Sequence, residues 1–213
     1  MPVTAHAAFS KAAFYYGMRT KCAPVDPRTG AVDPRKMKSL INSNTVCVVG
    51  SMPNYPYGTY DPIEEIGELA RKYNIGYHVD CCLGGFLVPF AKDCGIKLPC
   101  FDFSNPNVTS ISIDPHKYGV APKGLSVVLF KNRDLRAGCI FSITTWPGGI
   151  YATPTHAGSR GGAPSVGGWV SMLHYGKEGY KKIANEIMHG VKKAGEELKK
   201  IPDIQVVGDP CVR

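Results

Sequence analysis

The hydrophobic pattern of this chain switches repeatedly between a helical period and short β-prone runs, and that alternation narrows its fold more than any other feature. At Asp61 the signals for a helix start converge. Asp61 can cap, Pro62 suits the first helical position, Glu64 completes a capping box, and Ile63, Ile66, Ala70 and Tyr73 fall on one face. The run at residues 75–80 (Ile-Gly-Tyr-His-Val-Asp) follows as a strand ending in an acid, before a loop with Gly84 and Gly85. One step earlier, Asp33 and Pro34 open a helix carrying Met37, Leu40 and Ile41, with a strand at 45–49. Further strands are expected at 108–113, 126–130 and 204–207, and one long or broken helix at 166–200 with an apolar stripe of Ile183, Ile187, Val191, Ala194 and Leu198. Strands alternating with helices imply an α/β fold: a mostly parallel sheet with helices on both faces. Ligands of such sheets collect at the carboxyl ends of the strands. That rule selects Asp80 and the segment Asp114-Pro115-His116-Lys117.

Length and composition fit this class. The chain has 213 residues, 44% hydrophobic and 20% charged, enough to bury one substantial core. The eight cysteines lack C-x-x-C pairs, which fits a reducing, cytosol-facing setting. No apolar run reaches the length of a membrane span, so this stretch is expected to be soluble. The net charge of +8 is diluted, because the lysines of 177–200 alternate with Glu178, Glu186, Glu196 and Glu197 as on a solvated helix face. With no aromatic-interleaved basic strip or recognition-helix pattern beside them, no nucleic-acid partner is expected.

Lys117 leaves an apolar strand directly after His116, a place where a lysine needs a reason. Its amine titrates near roughly 10.4 when unperturbed, so a nucleophilic role requires desolvation or a neighbouring positive charge, and burial beside His116 could supply both. The bland reading is a surface lysine in a turn. Asp80 shifts that balance. A pyridoxal cofactor stabilises a carbanion only while its ring nitrogen stays protonated, and an acid at a strand end is the usual partner that keeps it so. Asp80 could instead cap the next helix, and His78, Asp80, Cys81 and Cys82 could be read as a metal cluster, although their spacing matches no recognised site and no metal is expected. His6 lies in the alanine-rich helix start Thr4-Ala5-His6-Ala7-Ala8-Phe9, where small neighbours would let a flat ring approach; alone, such a histidine is more often structural.

Five segments taken together resemble the sphingosine-1-phosphate lyase family. They are Thr4-Ala5-His6-Ala7-Ala8-Phe9, His78-Val79-Asp80-Cys81-Cys82-Leu83-Gly84-Gly85-Phe86, Thr109-Ser110-Ile111-Ser112 through His116-Lys117-Tyr118-Gly119, Ala121-Pro122-Lys123-Gly124 and Ala157-Gly158-Ser159-Arg160, in matching order and similar spacing over essentially the whole chain. His-Lys after a strand is shared by the wider group II decarboxylases; the A-P-K-G and T-A-H-A-A-F segments point more narrowly to the lyase.

The resemblance implies a fold-type-I pyridoxal 5'-phosphate enzyme and a homodimer with active sites at the subunit interface. By that likeness Lys117 holds the cofactor covalently, Asp80 pairs with the pyridine nitrogen and His6 stacks on the ring. His116 and Ser159 resemble ligands of the cofactor phosphate, Ser159 reaching across from the partner subunit, and Lys123 matches a lysine near the reaction centre. The implied reaction is retro-aldol cleavage of a phosphorylated sphingoid base between C2 and C3, giving a long-chain aldehyde and phosphoethanolamine. Gly161-Gly162 stands where the family commonly has a proline. The likeness further implies residues 1–200 as a partial cofactor-binding large domain and 201–213 as the start of a truncated small domain. The family's membrane anchor, which holds it at the endoplasmic reticulum, and its remaining site residues are expected outside this stretch, so the stretch alone is expected to be inactive. An amino-acid decarboxylase of the same fold and a noncatalytic remnant are the alternatives.

Overall fold

The computed structural model describes residues 1–212. Its centre is a four-stranded sheet in sequential order: β1 (Cys47–Ser51), β2 (Gly76–Cys81), β3 (Ser110–Ile113) and β4 (Val127–Phe130). β1, β2 and β3 run parallel and β4 closes the edge antiparallel, so the expected mostly parallel α/β sheet is the one observed.

The sheet is built from the local signals read above. α2 (Pro34–Leu40) starts where Asp33 accepts the Arg35 backbone N–H at 2.8 Å and Pro34 occupies the first turn. α3 (Ile63–Tyr73) crosses from β1 to β2, with Glu64 and Glu65 in its first turn, Arg71 and Lys72 in its last, and a left-handed Asn74 ending it. Its inner face is Ile63, Ile66 and Ala70, which pack with Val48, Tyr77 and Val79 into the main core. Burying each large aliphatic side chain there contributes about 1.5–3 kcal/mol. Tyr73, expected on that face, is instead exposed, because it lies in the last turn, beyond the edge of the sheet.

Two expectations at this helix fail. Asp61 makes no cap. It is fully buried and accepts the backbone N–H groups of Ser51 at 2.8 Å and Val32 at 3.2 Å, tying the end of β1 to the preceding loop. Glu64 makes no capping box and accepts the Cys100 backbone N–H at 3.0 Å. A long-range backbone bond from the carboxylate replaces a local one in both cases.

α1 (Ala7–Tyr15) lies against the opposite face of the sheet, where its Phe9 ring meets the His78 ring at 5.6 Å between centroids. Helices therefore cover both faces. After β2 the chain winds through three short 3₁₀ turns, Gly84–Phe86, Val88–Phe90 and Lys92–Cys94. Gly84 and Gly85 are required there, since a side chain at the first would strike the Met52 carbonyl and at the second the Ile113 side chain. Beyond β4 come α4 (Arg133–Ala137), a hairpin of β5 (Phe141–Ile143) and β6 (Tyr151–Thr153), and α5 (Ala163–Leu198). α5 is broken at Gly176, whose positive φ of 56° departs from helix geometry. Its buried side is Tyr180, Ala184 and Met188, flanked by Ile183 and Ile187, and it packs on the 3₁₀ turns with Leu87, Ala91, Cys94, Cys211 and Val212. The expected stripe therefore holds only in part: Ala194 and Leu198 are exposed because α5 has by then run past the turns. The strand expected at 204–207 is absent; that segment has no regular structure and pairs with none of the described strands. All eight cysteines carry free thiols.

Candidate active site

The residue alternation of β2 sends Tyr77, Val79 and Cys81 into the core and His78 and Asp80 to the opposite face. Parallel register sets Ser110 beside His78 and Ser112 beside Asp80. These four side chains form one polar row. Ser112 Oγ donates to Asp80 Oδ1 at 2.8 Å, and the same oxygen accepts the Cys82 backbone N–H at 3.1 Å. Asp80 is only 6% exposed, so a carboxylate there has to be held by such donors.

Lys117 sits in the turn that follows β3. Its Nζ lies 3.0 Å from Asp114 Oδ2, a turn-spaced pair in which the lysine side chain is 26% exposed. The amine also meets the Cys82 thiol, which in turn approaches the Asp80 carboxylate. Lys117 and Asp80 thus lie at the carboxyl ends of adjacent strands, with Cys82 acting electrostatically on both. Burial acts to lower the Lys117 pKa, but the bonds to Asp114 and Cys82 outweigh it and hold the amine above its ordinary value. The sequence-based expectation that burial beside His116 would depress this amine is therefore corrected: the neighbour that decides its charge is Asp114, not His116. Burial, and then the Asp80 charge, push the Cys82 thiol up to about 11.

His116 is half-buried. Its Nδ1 donates to the Leu125 carbonyl, and its Nε2 lies 3.8 Å from Asp114 Oδ2. Lys123 is exposed and donates from Nζ to the His116 carbonyl at 3.2 Å, so it joins the same turn. Ser126 Oγ donates to Asp114 Oδ1. The turn is locked from behind by Tyr180 of α5, whose hydroxyl donates to the Gly119 carbonyl at 2.9 Å.

His6 precedes the first residue of α1 and caps it, its Nδ1 accepting the Ala8 N–H at 3.1 Å, with the ring exposed. Thr4, two residues earlier, is buried with its hydroxyl unpartnered among the described residues. Ser159 lies apart, exposed in the loop before α5, with no bond to His116 or Lys117 among the described contacts. The structure thus brings together Asp80, His116, Lys117 and Lys123, and leaves Ser159 outside the cluster. Asp114 lay in the segment selected from the sequence and Cys82 in the metal-cluster reading, but neither was expected beside Lys117; the i, i+3 spacing of Asp114 to Lys117 in a predicted turn was the available signal.

The donor set suits a pyridoxal ring: one amine able to meet its aldehyde, a buried carboxylate at the end of the adjacent strand, and an unpartnered buried hydroxyl in the segment leading into the covering helix. Comparison with known proteins bears on the same point. The model of the pyridoxal-dependent decarboxylase conserved domain matches residues 3–212. The chain belongs to that family. Membership implies a pyridoxal phosphate cofactor.

Within the family, the chain is 48% identical to the sphingosine-1-phosphate lyase of Saccharomyces cerevisiae over 211 residues, which is 98% of this chain and 36% of that protein. It is 47% identical to that of Dictyostelium discoideum, over 99% of this chain and 40% of the relative. The chain therefore spans well under half the length of these relatives. Among solved structures, a Burkholderia pseudomallei sphingosine-1-phosphate lyase superposes with a TM-score of 0.95 at 40% identity, covering 98% of this chain and 48% of the other. A Lactobacillus brevis glutamate decarboxylase superposes with a TM-score of 0.82 at 22% identity, covering 97% of this chain and 47% of that one; it shares the fold.

Proposed function

We propose that this chain carries the cofactor-binding part of a pyridoxal phosphate-dependent lyase that cleaves phosphorylated sphingoid bases, such as sphingosine 1-phosphate, to a long-chain aldehyde and phosphoethanolamine. The observation that carries the reading is the placing of Lys117, paired with Asp114, and the buried Asp80, held by Ser112, at the ends of adjacent strands, within a chain 48% identical to a sphingosine-1-phosphate lyase. Pyridoxal phosphate, when bound, supplies the electron sink for the pair released as C2–C3 breaks.

The protein's own residues do the rest. Lys117 holds the aldehyde carbon, and it must first lose the proton that Asp114 stabilises. Asp80, oriented by the Ser112 hydroxyl and the Cys82 N–H, would keep a proton on the ring nitrogen. His6, exposed at the start of α1, would stack on the ring, and Phe9, packed on His78 at the sheet face, would help exclude water there. His116, with Ser159 of a second copy, binds the cofactor phosphate. Lys123, fixed on the His116 carbonyl, stands where it can hold the substrate phosphate or move a proton at the C3 hydroxyl.

In this reading the active protein is a homodimer, with residues 1–200 in its large domain and 201–213 opening the next; its membrane association at the endoplasmic reticulum is made by a segment outside this chain. No helix among the described residues is long and apolar enough to cross a membrane. The decisive assay expresses the chain with the coding sequence that flanks it and supplies either sphingosine 1-phosphate or free amino acids. Aldehyde release abolished by Lys117→Ala is the expected result; carbon dioxide from an amino acid, with no aldehyde, would overturn the assignment.

A further inference from the structure

His78 has no part in the chemistry above, yet it is the most constrained histidine in the molecule. It is half-buried on β2, covered by the Phe9 ring, and both of its nitrogens are bonded: Nδ1 with Ser110 Oγ at 2.8 Å and Nε2 with Ser112 Oγ at 3.1 Å. Ser112 in turn bonds Asp80 Oδ1 at 2.8 Å.

The direction of each bond follows from counting protons. An ionised carboxylate only accepts, so the one hydroxyl proton of Ser112 goes to Asp80. Ser112 Oγ must then accept from the imidazole, which places a proton on Nε2. A neutral ring has no second proton, so Nδ1 accepts from the Ser110 hydroxyl. Burial favours that neutral ring over the opposing pull of Asp80. Every donor in the row therefore points toward Asp80.

We infer that His78, fixed as its Nε2–H tautomer between Ser110 and Ser112, is a positioning residue that holds the Asp80 carboxylate oriented for the cofactor ring nitrogen. This rests on the reading of Asp80 as the ring's partner. The relay reaches Asp80 through Ser112. Parallel register explains why it exists: the two-residue period of β2 and β3 stacks His78 over Ser110 and Asp80 over Ser112, and one imidazole spans both serines.

The direction of the relay makes the test specific. Glutamine at 78 can still donate to Ser112 from the position of Nε2. Asparagine keeps only a group near Nδ1, and leucine keeps neither. Cofactor dissociation constants, read from quenching of protein fluorescence, are expected to change little in His78→Gln and to rise roughly tenfold in His78→Asn and His78→Leu, the effect of about 1.4 kcal/mol of lost hydrogen bonding. Equal loss in all three, or loss in none, would overturn the assignment. Long-range ¹H–¹⁵N correlation on the wild-type chain without cofactor supplies a readout independent of any variant. A protonated Nε2 and bare Nδ1 are expected, and the reverse tautomer or an imidazolium at pH 7.5 would sink the relay. Wild-type protein expressed with its flanking coding sequence that takes up no cofactor would instead defeat the reading of Asp80, while the tautomer measurement still decides the direction of the row.

Discussion

Two carboxylates decide the behaviour of this molecule, and each acts on a group other than the one expected. Asp114 keeps Lys117 charged, so removing that partner should free the amine at lower pH. In Asp114→Asn, the midpoint of the pH profile for capture of pyridoxal phosphate by Lys117, trapped by borohydride, is expected to move down; an unchanged midpoint would show that Asp114 does not set the charge. Asp61 is buried, and burial raises its pKa to about 6 against the two backbone donors that favour its ionised form. Its folded value lies above the unfolded one near roughly 3.9. The stabilising contribution is therefore complete below the unfolded value and is lost as pH rises through about 6. The stability of the wild type relative to Asp61→Asn, from urea unfolding, should accordingly grow as pH falls from about 7 to about 5. A difference independent of pH would contradict the shift. From the sequence, Asp61 read as a helix cap because capping signals are local, whereas its real partners are 10 and 29 residues away. Lys117, Asp80 and His116 were legible because strand ends are.

At the scale of elements, the parallel strands and their order followed from hydrophobic periodicity, with bounds displaced by one or two residues. The strand at 108–113 begins two residues later, at Ser110, because Thr109 spends its hydroxyl and N–H on the backbone of residue 77 before the ladder starts. The failed strand at 204–207 shows the limit of the method. Its β-prone composition finds no free neighbour, and a strand needs a partner more than a propensity. α5 was expected from its period, but its contact with the turn that carries Lys117 was not, since Tyr180 and Gly119 are 61 residues apart. That bond anchors the turn. Tyr180→Phe should cost about 1 kcal/mol or somewhat more, since it leaves the buried Gly119 carbonyl unpaired. A fall in the urea midpoint of matching size checks this; wild-type stability would show that α5 does not secure the turn.

On the scale of the whole molecule, apolar surface is the outstanding feature. Val166, Trp169, Val170 and Leu173 recur on one side of the first half of α5, each more than half exposed. Such spacing normally marks a buried helix face. In the dimeric reading this face lies against a second copy and the loop carrying Ser159 reaches the neighbouring His116. Sedimentation velocity of the chain is expected to give a dimer that Trp169→Glu converts to monomer; a wild-type monomer at tens of micromolar would argue against it. Composition, charge and motif spacing could suggest this assembly only by resemblance, because a surface is defined by the fold and not by the order of residues.

If the reading holds, one amine, that of Lys117 in the turn after β3, takes the cofactor opposite the buried Asp80 carboxylate. Borohydride reduction of the chain with pyridoxal phosphate, followed by peptide mapping, tests it directly. A single pyridoxyl group on Lys117, absent from Lys117→Ala, is the predicted result. Label spread over the exposed lysines of α5, or settled on Lys123 with Lys117 unmodified, would contradict it.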